Sequence, residues 1–153
     1  MGAETRIAEL GLELPVPPNP LASYVPVAIS GALAFVAGQV PIADGKPLWS
    51  GKLGEELDVE TGAAAARRCA LQALSALRAE LGSLDRIRRI VKVTVWVASA
   101  AGFTDQPKVA NGASDLLVEV FGEAGRHARA AVGAPALPLG APVEVELIAE
   151  IVP

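Results

Sequence analysis

Apolar and polar positions divide the chain into segments of two periodicities. Residues 1–14 read as a short helical or irregular arm, with Leu10, Leu12 and Leu14 free to dock on the body. Pro15 to Pro20 follows as a stiff, extended connector. Two apolar runs, YVPVAI (24–29) and ALAFVAGQVPI (32–42), meet at the turn dipeptide Ser30-Gly31 and predict a β-hairpin. Ile42 to Gly54 reads as loop. Asp58 is a helix N-cap, with Glu60 in the first turn where the helix dipole favours a carboxylate. The helix runs from Val59 to its stop at Gly82. Ala66, Cys69, Ala70, Ala73, Leu74, Leu77 and Leu81 recur along it at helical spacing as the buried stripe. Arg86–Ala98 then alternates, with Val91, Val93, Val95 and Val97 on one face and Lys92, Thr94 and Trp96 on the other. Gln106–Phe121 predicts a second helix, capped by Thr104 or Asp105 and ended by Gly122. Ala128–Ala134 and Val143–Val152 predict two more strands.

The order β-β-α-β-α-β-β predicts an α+β domain with two helices on one face of a mixed sheet. The domain would span residues 21–153, preceded by the arm and connector at 1–20. The other face of the sheet would carry apolar side chains, Trp96 and several carboxylates. Self-association would cover such a patch, and a site at the subunit boundary would follow.

Composition sharpens this picture mainly by exclusion. At 153 residues, with 52% hydrophobic and 20% charged, the chain suits one folded domain. Thirteen basic and 17 acidic residues leave a net charge of −4, which disfavours a nucleic-acid surface. The cluster Arg86, Arg88 and Arg89 reads as a solvated loop-to-strand edge. Cys69 is the one cysteine and His127 the one histidine, so no disulfide within the chain and no zinc spacing is available. No metal or organic cofactor is expected. The uncharged stretch between Glu13 and Asp44 is long enough to span a membrane, but six prolines interrupt it. With no signal-like basic and apolar start either, a cytoplasmic location is expected.

Dinucleotide and phosphate loops and the nucleophile elbow of hydrolases are absent. What remains lies in HARAAVGAPALPLGAPVEVELIAE, residues 127–150. Arg129 opens an apolar strand, where a guanidinium needs a carboxylate from the protein or from a ligand. Glu144 and Glu146 share a face of the next strand. If the two strands form a hairpin, one of these acids lies within reach of Arg129. An ordinary interstrand ion pair explains this arrangement at least as well as a ligand site. His127 reads first as a packing residue, although its pKa range suits a base. Trp49 and Trp96 read as core or interface anchors.

Four stretches together resemble the YjgF/RidA family of reactive-intermediate (enamine/imine) deaminases, from about Leu21 to Val152. They are SYVPVAISGALAFVAGQVPI (23–42), IVKVTVWVA (90–98), VANGASDLLVEVFG (109–122) and ARAAVGAPALPLGAPVEVELIA (128–149). The resemblance implies a chorismate-mutase-like fold, a homotrimer and three clefts between subunits. By the same resemblance Arg129 matches the arginine that grips a substrate carboxylate, and Glu144 the acid that positions a water. Tyr24 matches the tyrosine flanking the cleft and Gly38 the glycine whose backbone lines it. Asn111 matches a family asparagine. Ala131 stands where many members have cysteine and would contribute backbone alone. The chain departs at Ala37, where many members have Ser or Thr, at His127, which replaces the usual Pro, and in its longer N-terminal arm. These mark a divergent branch in which His127 is an accessory candidate.

The activity so implied is hydrolysis of a 2-imino acid, or its enamine tautomer, to a 2-keto acid and ammonia. A non-catalytic module that binds small carboxylates such as 2-keto acids is the alternative. Endoribonuclease activity, also attached to this family, is the third reading and the one that the acidic charge opposes.

Overall fold

The computed structural model describes residues 1–19 and 22–153. The expected boundary between arm and domain, at Pro20 and Leu21, lies outside the described residues. The elements are α1 (Ala3–Glu9), β1 (Val27–Ser30), β2 (Leu33–Gln39), β3 (Ile42–Ala43), β4 (Lys46–Pro47), α2 (Val59–Leu81), β5 (Ile87–Ala98), α3 (Gln106–Phe121), β6 (Ala128–Ala134) and β7 (Val143–Ile151).

The long helix forms where its signals place it. Asp58 Oδ1 accepts from the Thr61 N–H at 2.9 Å, and Gly82 closes the other end with a left-handed backbone. All seven residues of its expected stripe are buried. Asp105 is the N-cap of α3, without a capping bond from its side chain. The segment expected as loop after Ile42 contains a small antiparallel ladder instead, β3 paired with β4 around a tight turn at Asp44-Gly45.

Five strands form the main sheet in the order β1-β2-β7-β5-β6. β5 and β6 run parallel, joined by α3, and every other neighbouring pair is antiparallel. β7, the last strand, enters between β2 and β5. β6 and β7 therefore do not form the hairpin that their sequence order suggested; β5 lies between them. Parallel neighbours need a helical crossover, which α3 supplies, and the loop of 135–142 then carries the chain over β5 to the open slot beside β2.

Both long helices cover one face. Cys69, Leu74 and Leu77 of α2 and Val109, Leu116 and Leu117 of α3 meet Val93, Val95, Val97, Val143, Val145 and Leu147, all essentially inaccessible. The helices approach so closely that a Cβ on Gly112 would collide with the Ala63 carbonyl. The alternation of β5 slips at two register shifts, the first between Ile87 and Arg89. The register jumps again between Ile90 and Lys92, so Ile90 takes the core position expected of Val91, which is left half-buried at a bulge.

α1 packs against α3 on the outside of the helix layer. Glu4 accepts from Arg78 Nη2 at 2.6 Å, Arg78 Nε at 3.1 Å and the Leu84 N–H at 2.9 Å. Leu10, Leu12 and Leu14 pack partly buried against the core, and Ser75 Oγ donates to the Pro15 carbonyl. No helix among the described residues is long and apolar enough to cross a membrane. The opposite face of the sheet is uncovered and leaves Leu33, Phe35, Trp96 and Val132 more than a third exposed.

Candidate functional site

The expected site residues fall into two groups. The first surrounds Glu144. β2 carries one extra residue between Val36 and Gln39 relative to β7, a bulge at Ala37-Gly38. Gln39 turns back across it and donates from Nε2 to the Ala37 carbonyl at 3.1 Å. The bulge sets Gly38 against the Glu144 carboxylate so tightly that any Cβ there would strike Oε1. A side chain at position 38 would push the Glu144 carboxylate out of this placement.

A cavity of about 320 Å³ opens over this point, lined by Tyr24, Gly38, Gln39, Gln72, Leu139 and Glu144, with Pro18 and Asn19 of the connector on its rim. Tyr24 stands at the mouth, half exposed. Gln72 braces the wall: Nε2 donates to the Val40 carbonyl at 2.7 Å while Oε1 accepts from the Ile42 N–H at 3.0 Å. Leu139 is held at positive φ, a conformation that side chains other than glycine adopt at a cost.

Burial raises the Glu144 pKa above the ordinary carboxylate value, and the negative charge of Glu146 adds to it. Glu146 accepts from Trp96 Nε1 at 2.9 Å. Among the described residues no donor reaches the Glu144 carboxylate. It is an acid held near a cavity with its proton affinity raised, the state that suits exchange of a proton with a bound molecule.

The second group surrounds Arg129. Its Nη1 donates to Asn111 Oδ1 at 2.8 Å and to Ser114 Oγ at 3.2 Å, both on α3. Ser114 Oγ lies 2.9 Å from His127 Nε2, and His127 Nδ1 lies 2.6 Å from the Gly125 carbonyl. Partial burial pulls the His127 pKa below its ordinary value; the Gly125 carbonyl opposes this and the Arg129 charge assists it. Ala131, two residues along the strand from Arg129 and on its face, packs partly buried against the core. Among the described residues no carboxylate lies within ion-pair distance of Arg129, so the expected pairing with Glu144 or Glu146 does not form within one chain.

The register explains why. Arg129 is opposite Val93, a core residue, so it faces the helices at the edge of the sheet. Glu144 is opposite Trp96 and lies on the uncovered face. The two side chains are two strands apart and on opposite sides of one sheet.

Ser114 is the functional candidate that reading the sequence missed. Its one available signal is helical spacing from Asn111, which puts both polar side chains on one face of α3. Asn19 and Leu139 gave no signal at all, because connector and loop geometry brings them to the cavity, and Gln72 is a polar side chain of α2 that only packing against β2 and β3 turns toward it. Cys69 is buried in the core, which raises the pKa of its thiol, and it belongs to neither group. No three metal-ligating side chains stand together among the described residues.

Comparison with known proteins gives a consistent result. Residues 4–151 match the family described as "YjgF/chorismate mutase-like, putative endoribonuclease". Protein TCP17 of Trypanosoma cruzi is 49% identical over 146 residues, 95% of this chain and 91% of that protein. The crystal structure of Atu1372 from Agrobacterium tumefaciens, a protein of unknown function, superposes with a TM-score of 0.90 at 46% identity, covering 98% of this chain and 92% of that one. A Shewanella oneidensis protein described as a "putative endoribonuclease" gives a TM-score of 0.94 at 38% identity, covering 99% and 100%.

Proposed function

Because the chain belongs to the YjgF/chorismate mutase-like family, we propose that it hydrolyses 2-imino acids, or their enamine tautomers, to 2-keto acids and ammonia. The observation that carries this reading is the state of Arg129. Its guanidinium is fixed by two neutral acceptors on α3 and, among the described residues, has no carboxylate beside it. A cation held in place and left unneutralised suits a ligand carboxylate, which it can grip through two parallel N–H···O bonds.

Glu144 is the proton-transfer group. It takes a proton from water as the oxygen attacks C2 of the imino acid, forming the C–O bond of a carbinolamine. It delivers that proton to the imine nitrogen, completing the carbinolamine, then moves the carbinolamine's hydroxyl proton to the same nitrogen as the C–N bond breaks, so that ammonia leaves and the C2 carbonyl of the keto acid remains. Neither electrons nor a second substrate are required. General acid–base help of this kind is worth roughly 10²–10⁴-fold, enough for a bond as labile as an imine.

The opposite-face placement of Arg129 and Glu144 supports a site shared between copies. The β6 edge of one copy, bearing Arg129, would meet the uncovered sheet face of another, bearing Tyr24, Gly38 and Glu144. A homotrimer with three such clefts closes this arrangement. Burying Leu33, Phe35, Trp96 and Val132 would drive it.

The endoribonuclease reading has less behind it. Net charge is −4, and the arginine cluster is already engaged. Arg86 donates to the Leu81 and Val152 carbonyls, Arg89 donates to the Arg126 carbonyl, and Arg88 lies 3.9 Å from Glu150.

The test is release of ammonia and keto acid from imino acids generated in situ by an amino-acid oxidase. Wild type should accelerate release, and Arg129→Ala should lose at least about 100-fold through the missing charged hydrogen bonds. Equal rates in the two proteins overturn the role of Arg129. No acceleration by wild type, with keto acid still bound, leaves a carboxylate-binding module in its place.

A further inference from the structure

Arg129 Nη1 has two protons, and both are committed: one to Asn111 Oδ1 at 2.8 Å, the other to Ser114 Oγ at 3.2 Å. The second acceptor is itself oriented. The Gly125 carbonyl can only accept, so at 2.6 Å it fixes a proton on His127 Nδ1. In the neutral ring Nε2 is then an acceptor, and the Ser114 hydroxyl 2.9 Å away donates to it. With its proton so directed, Ser114 turns its lone pairs toward Arg129. The chain of bonds has one direction: Arg129 Nη1–H to Ser114 Oγ, Ser114 O–H to His127 Nε2, His127 Nδ1–H to the Gly125 carbonyl.

We propose that Ser114 and His127 are positioning residues, which together with Asn111 consume both Nη1 protons so that Arg129 presents its Nε–Nη2 edge to the ligand carboxylate. The proposal rests on the reading of Arg129 as the carboxylate holder, and it specifies which side of the guanidinium does the holding. It also gives a purpose to His127, both of whose ring nitrogens are engaged. Without the Nε2 acceptor the Ser114 hydroxyl would be free to rotate.

The surroundings favour the neutral ring. α3 offers His127 the uncharged Ser114 hydroxyl, and the turn before β6 offers the Gly125 carbonyl. In that turn Arg126 pairs with Glu123, and Arg89 of β5 reaches the Arg126 carbonyl. Arg129 is the charge that acts on the ring, and with burial it holds the imidazole's pKa below the ordinary value. Protonating Nε2 would reverse the Ser114 hydroxyl and set a second cation beside the first.

Two sets of measurements test this on the full-length protein. In the first, imino-acid kinetics on Ser114→Ala should raise KM about three- to tenfold, the effect of one hydrogen bond that orients a charge, with kcat little changed. Ser114→Thr, which keeps the hydroxyl, should restore KM. Wild-type KM in Ser114→Ala, or a loss confined to kcat, overturns the positioning role. In the second, nitrogen-15 NMR of the single histidine should show the proton on Nδ1, and pyruvate, used as the carboxylate probe, should raise the His127 pKa by neutralising Arg129. Arg129→Met should raise it without any ligand. A proton on Nε2, or a pKa indifferent to Arg129→Met, overturns the network. Pyruvate bound equally well by Arg129→Met instead overturns Arg129 as the carboxylate holder, while the NMR of the ligand-free proteins still reports the network separately.

Discussion

Glu144 illustrates how one side chain takes its chemistry from several places at once. The bulge in β2 brings Gly38 against it, burial disfavours its charge, and Glu146 on the same strand face repels that charge further. Both causes push its pKa up, so the folded state holds this proton more tightly than the unfolded chain. The stabilisation that results is fully present below the unfolded pKa and is lost as pH rises through the folded one. As a base Glu144 works ionised, so kcat/KM should fall as pH drops through its folded pKa. Glu146→Gln removes one of the two causes while keeping an acceptor for Trp96 Nε1. The acid limb of the pH–rate profile should therefore move to lower pH, and an unmoved limb would separate Glu144 from that titration. The residue types were legible in the chain: an arginine amid apolar neighbours and two glutamates at alternating positions. The environment of Glu144 was not, because it depends on a one-residue insertion in a different strand. Ser114 was hidden for a related reason. It is 13 residues from His127, and only the packing of α3 over β6 joins them.

Elements with strong local signals emerged almost intact, and those placed by partners did not. α2 runs between Asp58 and Gly82 because the cap and the stop act within a turn of where they sit. The slip at Val91 has no such signal, since the valines after it alternate cleanly and pairing with β7 decides that Ile90 rather than Val91 faces inward. The order of β6 and β7 is likewise a matter of partners. Consecutive strands pair more often than not, yet here β5 separates them. Closeness of the two long helices is a property of the same scale. Gly112 lets α3 rest on the Ala63 carbonyl, so Gly112→Val should force the helices apart. Overpacking of this sort costs about 1–3 kcal/mol, read as a fall of several degrees in Tm. A Tm at or above wild type would mean that the helix interface yields without cost.

The whole molecule carries a division that no single chain resolves, with Arg129 facing the helices and Glu144 facing the opposite side. The proposed shared site makes a numerical prediction. Arg129→Ala and Glu144→Gln should each be inactive alone. Co-assembled in equal amounts, they should recover about a quarter of wild-type activity, because random assembly brings an intact arginine edge to an intact glutamate face in one cleft of four. A self-contained site would recover nothing. The sequence pointed toward association through the apolar residues on its polar-patterned strands. It could not show that the two halves of the site lie back to back, since that follows from pairing register.

β6 itself has a consequence for how the protein is made. It ends the sheet, and its segment ARAAVGA has a single charge, the guanidinium drawn aside onto α3. Edge strands are ordinarily guarded by charge, proline or a bulge against recruiting a stranger's strand. This one has little of that protection. Under the proposed assembly, a newly folded chain would be most prone to aggregate in the interval before a neighbouring copy covers the edge.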